Sequence, residues 1–307
     1  MTGADGFVGR HLVRHLLHTG DEVAAACRPG GPVVDWDRRV EVLPLEMGEH
    51  QSVVGALSWR PDAVVHLAAV ASVREAREDP GAAWEINAAG TARLAAAAAA
   101  RREAGDADPI VLLISSGEVY GPGPTRPRVE DDPLLPVSSY AASKLGAEVA
   151  ALEVWRRTGL RVVVARPFPH TGPGQTAEYV VPAFVERLRA ARASGARTAP
   201  TGNLAPVRDL LDVRDVVRAY RALLNRGTPG EIYNVSRGEG ASLAEVFARL
   251  AALIGTAAVP ETSAALVRGT DIPHLVGDST KLRRVAGWTP SISFEQTLQE
   301  LVDAQAD

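Results

Sequence analysis

A single cysteine, Cys27, excludes an internal disulfide framework and fits a reducing compartment. Positive charge is not in excess: 33 Lys and Arg face 37 Asp and Glu, a net charge of −4 with no basic tail, which argues against nucleic acid as a principal partner. No apolar run approaches the length of a membrane span. The longest low-complexity stretch, 94–100, runs into Arg101 and Arg102 and reads as an alanine-rich helix. No signal peptide is visible, because residues 1–20 carry scattered charge and histidine instead of a basic end and an apolar core. Aromatic residues are scarce, at 5%, yet 46% of the chain is hydrophobic and 23% charged, enough to bury a core and too apolar for disorder. At 307 residues, one large or two modest domains are expected, in a cytoplasmic protein with no membrane partner.

What is there is an alternation of two textures. Short apolar, β-branched runs at 23–26, 40–43, 63–67, 110–114 and 161–165 alternate with helical patterns near 7–19, 50–58, 81–104 and 140–158. This predicts an α/β fold: a doubly wound parallel sheet of the Rossmann type, its strands apolar throughout because helices cover both faces. After Arg166, Pro167, Pro169, Gly172, Pro173 and Gly174 crowd into an irregular loop. Helices are expected near 180–194, 213–224, 242–254 and 293–303, with a strand at 231–235. The division expected is a dinucleotide-binding domain over 1–166, to which 209–236 returns, and a smaller, mostly helical substrate lobe over 167–307.

Gly3, Gly6 and Gly9 stand at GxxGxxG spacing at the start of the first helical pattern. Glycines there let the backbone turn, approach a pyrophosphate and pack helix on strand, while the helix N-terminus favours the anion. The motif begins at residue 2 with no strand before it, so the central first strand is missing from the sequence as given and poor stability is expected. At the end of the next strand, where an acidic residue would select NAD, Arg28 stands 19 residues after Gly9. Its guanidinium suits a 2′-phosphate, so NADP(H) is the expected cofactor.

Tyr140 and Lys144 lie four apart on one helix face. A Lys144 ammonium beside the phenol is expected to bring Tyr140 toward neutral pH. Upstream, Ser115 and Ser116 end the apolar strand at 110–114, where open α/β sheets carry substrate contacts.

With these pieces the sequence resembles the extended short-chain dehydrogenase/reductases that act on nucleotide sugars. The pieces are TGADGFVGRHL (2–12), PDAVVHLAA (61–69), NAAGT (87–91), SSGEVYG (115–121), YAASK (140–144), RPFPHTGPGQ (166–175) and GNLAPVRDLLDVRD (202–215). Within that group it is most similar to GDP-6-deoxy-D-mannose reductases. The resemblance implies a sugar-carbonyl contact for Ser116, a general acid or base in Tyr140, and a ribose contact for Lys144. It implies cofactor contacts at Gly3, Asp5, Gly6, Phe7, Val8, Gly9, Arg28, Glu46, Met47, Leu67, Ala68, Ala69, Pro167 and His170. Substrate contacts are implied at Ser72, Ser116, Glu118, Val180, Arg208 and Arg268, the two arginines gripping the diphosphate or nucleoside. A homodimer through the helices near 91–104 and 140–158 is implied as well.

The sequence departs from the family at two places. Pro169 replaces an asparagine whose amide reaches the substrate diphosphate, and proline donates nothing there. Related 4,6-dehydratases follow their Ser or Thr with Asp-Glu, whereas Gly117-Glu118 stands here. The expected function is NADPH-dependent reduction of the 4-keto group of a GDP- or dTDP-linked 4-keto-6-deoxyhexose. A 4,6-dehydratase or epimerase, and a catalytically silent NADP-binding protein, are the alternatives. His11, His15 and His18 share a helical face and read as solvated; no metal site is expected. His66 is expected to pack beside the cofactor. Arg28 beside Cys27 is a reason for its thiol pKa to fall.

Overall fold

The computed structural model describes residues 1–267 and 271–304. Its strands and helices follow in the order α1 (Phe7–His18), β1 (Val23–Cys27), β2 (Val40–Pro44), α2 (His50–Leu57), β3 (Ala63–His66), α3 (Val73–Glu78), α4 (Pro80–Trp84), α5 (Gly90–Glu103), β4 (Ile110–Ile114), α6 (Ser139–Thr158) and β5 (Arg161–Pro167). Then come β6 (His170–Thr171), α7 (Val180–Ser194), β7 (Thr198–Thr201), β8 (Val207–Arg208), β9 (Leu211–Asp212), α8 (Val213–Arg226), β10 (Ile232–Val235), β11 (Ala241–Ser242), α9 (Leu243–Ile254), β12 (Val259–Thr262), β13 (His274–Leu275), α10 (Thr280–Ala286) and α11 (Phe294–Ala304).

The sheet is parallel and Rossmann-type, in the order β10-β5-β4-β3, with β1-β2 beyond it. All five residues of β4, Ile-Val-Leu-Leu-Ile, are buried, as a strand covered on both faces requires. Full burial of each such side chain contributes about 1.5–3 kcal/mol. One apolar cluster joins the sheet to α1, α8 and α10, and a second joins it to α2, α5 and α6. Segment 209–236 contributes α8 and β10 to this sheet body, β10 pairing with β5. A third cluster gathers α7, α9 and α11.

Thr2 lies between the two parts of the sheet and bridges Ala26 on one side and His66 on the other. Its amide donates to the Val65 carbonyl (3.0 Å), its carbonyl accepts from Leu67 (3.3 Å), and the Gly3 amide donates to Ala26 (2.9 Å). Beside this short stitch, a cavity of about 370 Å³ separates β1 from β3, lined among others by Val23, Ala24, Ala63, Val65 and Leu94.

Local chemistry sets the helix ends. Ser138 caps α6 by accepting from Ala141 (3.1 Å), and Gly159 stops it in the left-handed region at φ 74°. Ser242 and Glu245 form a capping box on α9. The helical pattern expected over 81–104 is not one α-helix: a π turn, Glu85–Ala89, separates α4 from α5. Wide turns of this kind recur at functional sites.

Candidate active site

The glycine loop wraps the start of α1. Gly3 has φ 64°, and a Cβ there would stand 2.8 Å from the Ala68 amide nitrogen; one on Gly9 would meet the Gly3 carbonyl oxygen at 2.4 Å. The loop is therefore closed to side chains at the two places where backbone meets backbone. Helix α1 starts after Gly6 with no side-chain cap and no acidic residue in its first turn. Its first amides are open to an anion, as a pyrophosphate requires. Phe7 and Val8 open the helix, and Leu67, Ala68 and Ala69 follow β3 beside Gly3. Arg28 stands exposed just past β1, and Asp5 interacts with Cys27. These residues fit a bound dinucleotide.

Met47 turns into the core, where Gly90 of α5 approaches its side chain, while Glu46 is held through its amide by Ser52 (2.8 Å). His170 lies parallel to Phe7 with ring centroids 6.5 Å apart, its Nδ1 donating to the Phe168 carbonyl (3.0 Å). His11 is not simply solvated. Its Nε2 donates to the Pro173 carbonyl (3.0 Å), tying α1 to the loop between β6 and α7. The thiol of Cys27 does not follow Arg28: burial and then the Asp5 carboxylate push its pKa up.

Ser115 and Ser116 divide at the end of β4. Ser115 turns inward and donates to Glu148. Ser116 accepts from the Glu118 amide (3.1 Å), caps the turn Gly117–Tyr120 and lies close enough to Tyr140 to lower its pKa. Lys144, 5% exposed, donates to the Ile114 carbonyl (2.8 Å), and burial lowers its pKa to about 8 against the opposing pull of Glu148. Tyr140 is not brought toward neutral pH in this geometry. Its phenol is pushed well above the ordinary value, opposed by Ser116. The physical reason is burial first and the facing Glu118 carboxylate second, while Lys144 donates to the Ile114 carbonyl. A phenol held this way is protonated at neutral pH.

Beneath these groups lies a buried ion pair absent from the sequence reading. Arg166 donates from Nε and Nη2 to Glu148 (2.9 and 2.7 Å) and from Nη1 to the Tyr120 hydroxyl (3.0 Å), which donates to Asn234 (2.7 Å). The one available signal was Glu148, a helical turn beyond Lys144 on the same face.

Arg208, one of the residues expected to meet substrate, donates to Asp271 (2.5 Å) and to the Ile272 carbonyl (2.7 Å). Arg268 lies outside the described residues. Ser72 caps α3, Val180 begins α7, and Pro167 ends β5 against Val235. The Pro169 carbonyl accepts from Leu211 (3.0 Å). Gly117 packs on Phe168: a Cβ there would stand 3.2 Å from three ring carbons. Among the described residues no helix is long and apolar enough to cross a membrane.

Comparison with known proteins places this geometry. The sequence profile of the GDP-mannose 4,6 dehydratase family matches residues 1–301. The chain is 34% identical to a GDP-6-deoxy-D-mannose reductase of Pseudomonas aeruginosa, over 98% of this chain and 95% of that protein. It is 32% identical to a dTDP-glucose 4,6-dehydratase of Streptomyces griseus, over 98% and 92%. The solved structure of RMD from Pseudomonas aeruginosa complexed with NADPH superposes with a TM-score of 0.82 at 32% identity, covering 98% of this chain and 96% of the other.

Proposed function

Because the chain belongs to the GDP-mannose 4,6-dehydratase family of the short-chain dehydrogenase/reductases, we propose that it reduces the 4-keto group of a GDP- or dTDP-linked 4-keto-6-deoxyhexose with NADPH. The observation that carries the choice of reaction is the contact between Gly117 and Phe168. A dehydratase of this family is expected to carry an aspartate at that position, and here the ring leaves a side chain no ordinary clearance. Glu118 remains next to Tyr140, but without its acidic neighbour it serves contacts to sugar hydroxyls.

NADPH, when bound, supplies the hydride. Ser116 polarises the ketone, and Tyr140, protonated at neutral pH, gives its proton to the oxygen that becomes the alcohol. Lys144 holds the nicotinamide ribose beside Tyr140. The glycine loop with Asp5, Phe7, Val8, Leu67, Ala68 and Ala69 holds the dinucleotide, Arg28 meets the 2′-phosphate, and Pro167 and His170 close the nicotinamide end. Ser72, Glu118, Val180 and Arg208 line the substrate side. Holding ketone, hydride and proton donor in register is the main contribution of such a site. A homodimer through α5 and α6 is part of this reading, supported by Trp84 and Val149, exposed large apolar residues on α4 and α6. So is a cytoplasmic setting, supported by the lone thiol.

The test is NADPH absorbance with GDP-4-keto-6-deoxymannose and dTDP-4-keto-6-deoxyglucose in parallel. One of them is expected to consume NADPH stoichiometrically, and Tyr140→Phe to lose roughly 10²–10⁴-fold in kcat. Conversion of GDP-mannose or dTDP-glucose with no net cofactor use would overturn the reading in favour of dehydration.

A further inference from the structure

Between the glycine loop and the catalytic helix runs a line of buried polar side chains that the proposed reaction leaves unused. Thr2, His66, Thr91, Asn87 and Ser143 are each 4% exposed or less, so every proton among them needs a partner within the protein. The Ala68 amide donates to Thr2 Oγ1 (3.1 Å), which lies 2.8 Å from His66 Nδ1. On the other side of the ring, Nε2 lies 3.0 Å from Thr91 Oγ1, and the Thr91 hydroxyl donates to the Asn87 carbonyl (2.6 Å).

These contacts fix the tautomer. A threonine hydroxyl has one proton, and that of Thr91 is committed to the Asn87 carbonyl, so its oxygen accepts from Nε2–H. Nδ1 of a neutral ring is then an acceptor, and the Thr2 hydroxyl donates to it. Neutrality follows from burial and, secondarily, from the Lys144 ammonium, which together push the His66 pKa down to about 3.

Beyond Thr91 the line continues through the π turn. The Asn87 amide nitrogen donates to the Val70 carbonyl (3.1 Å) and to Ser143 Oγ (2.9 Å), while its oxygen accepts from the Val70 amide (2.8 Å). Ser143 in turn donates to the Tyr140 carbonyl (2.8 Å). One end of the line touches the loop at Gly3, and the other holds the first turn of α6.

We propose that His66, as the neutral Nε2–H tautomer, is a positioning residue that sets the glycine loop against the turn carrying Tyr140, and with it the register between bound cofactor and proton donor. The ring is the one element of the line with an acceptor and a donor on opposite edges, so it joins two hydroxyls that point away from each other. The role in register rests on the reading of Tyr140 as proton donor; the tautomer does not.

Two measurements on the full chain test it. The first is ¹⁵N NMR of histidine-labelled protein, which distinguishes a pyrrole-type from a pyridine-type ring nitrogen. A protonated Nε2 and bare Nδ1 are expected for His66, assigned by loss of the signal in His66→Gln. The Nδ1–H tautomer, or a cationic ring at neutral pH, overturns the proposal. The second is turnover with deuterated NADPH. Thr91→Val removes the acceptor of Nε2–H and is expected to lower kcat by at least ~10-fold, a modest share of what a 1 Å misplacement can cost, and to raise the primary isotope effect. NADPH affinity and substrate KM should stay within roughly 3-fold, since Thr2 still ties the loop to β3. Thr91→Ser, which keeps the hydroxyl, restores kcat. An unchanged kcat and isotope effect in folded Thr91→Val, or a loss that appears in KM alone, overturns the positioning role. A wild-type protein that consumes no NADPH with either keto-sugar defeats the reading of the reaction instead, and the tautomer is still decided by the spectrum.

Discussion

Burying Glu148 and Arg166 at 2% exposure each strips both of water, and their two-pronged contact is what compensates. Removing one partner strands the other. Glu148→Gln is expected to cost about 3–5 kcal/mol in urea denaturation, far more than any exposed pair here; the exposed Arg157–Glu153 bridge serves as control, Glu153→Gln costing less than about 1 kcal/mol. Equal costs would show that the buried pair is solvated in the folded protein. His66 makes a second prediction, with a sign. Its folded pKa of about 3 lies below the ordinary 6.5, so between those values the unfolded chain binds more protons than the folded one. Stability therefore rises with pH through this window and is lost as pH falls through it. Between about pH 7 and about pH 5 the wild type should lose about 2 kcal/mol that His66→Gln does not lose, read from urea midpoints at both values. A parallel pH dependence of the two proteins would count against it.

Among the elements, the glycine loop is the least tolerant. Gly9→Ala drives a methyl into the Gly3 and Ala4 carbonyl oxygens, at 2.4 and 2.5 Å. About 2 kcal/mol of such overpacking corresponds to roughly 30-fold weaker NADPH binding, measurable by fluorescence titration. Gly55→Ala in α2, with nothing within 4 Å, should bind normally. How far an element could be read from sequence follows the same contrast between local and distant causes. β4 was legible because five apolar residues in a row report burial on both faces. β12 was not: Val259–Thr262 is exposed at every position and is a strand because β7 lies alongside. The two-residue strands β6, β8, β9, β11 and β13 likewise exist through partners distant in sequence. At the site, the glycines and the Tyr140–Lys144 spacing are local patterns and were visible. The ladder from Ser115 through Glu148 to Arg166 and Tyr120 joins positions far apart in sequence, and only the helical spacing of Glu148 from Lys144 hints at it.

In the whole molecule, the sheet is continuous from β10 to β3, but its connection to β1 and β2 runs through Thr2 and its neighbours beside a cavity of about 370 Å³. β1 and β3 are not neighbours in one ladder, and Thr2 bridges to each of them. The amides of β1 and β2 should therefore exchange with solvent at least ~10-fold faster than those of β4 and β5 in native-state hydrogen exchange, as expected of a separate opening unit. Uniform protection across the sheet would show that Thr2 suffices to make it one unit.

The bond from His11 to the Pro173 carbonyl has a thermodynamic corollary. Helix α1 begins at the glycine loop, and Pro173 belongs to the loop between β6 and α7; in the proposed function these serve cofactor and substrate. Anything that draws α1 into one arrangement biases that loop, and the influence is mutual by necessity. If the first ligand sharpens affinity for the second by some factor, the second sharpens affinity for the first by the same factor. Order of addition in such a molecule is then a matter of rates, while the equilibrium coupling belongs to the pair of sites and to neither ligand alone.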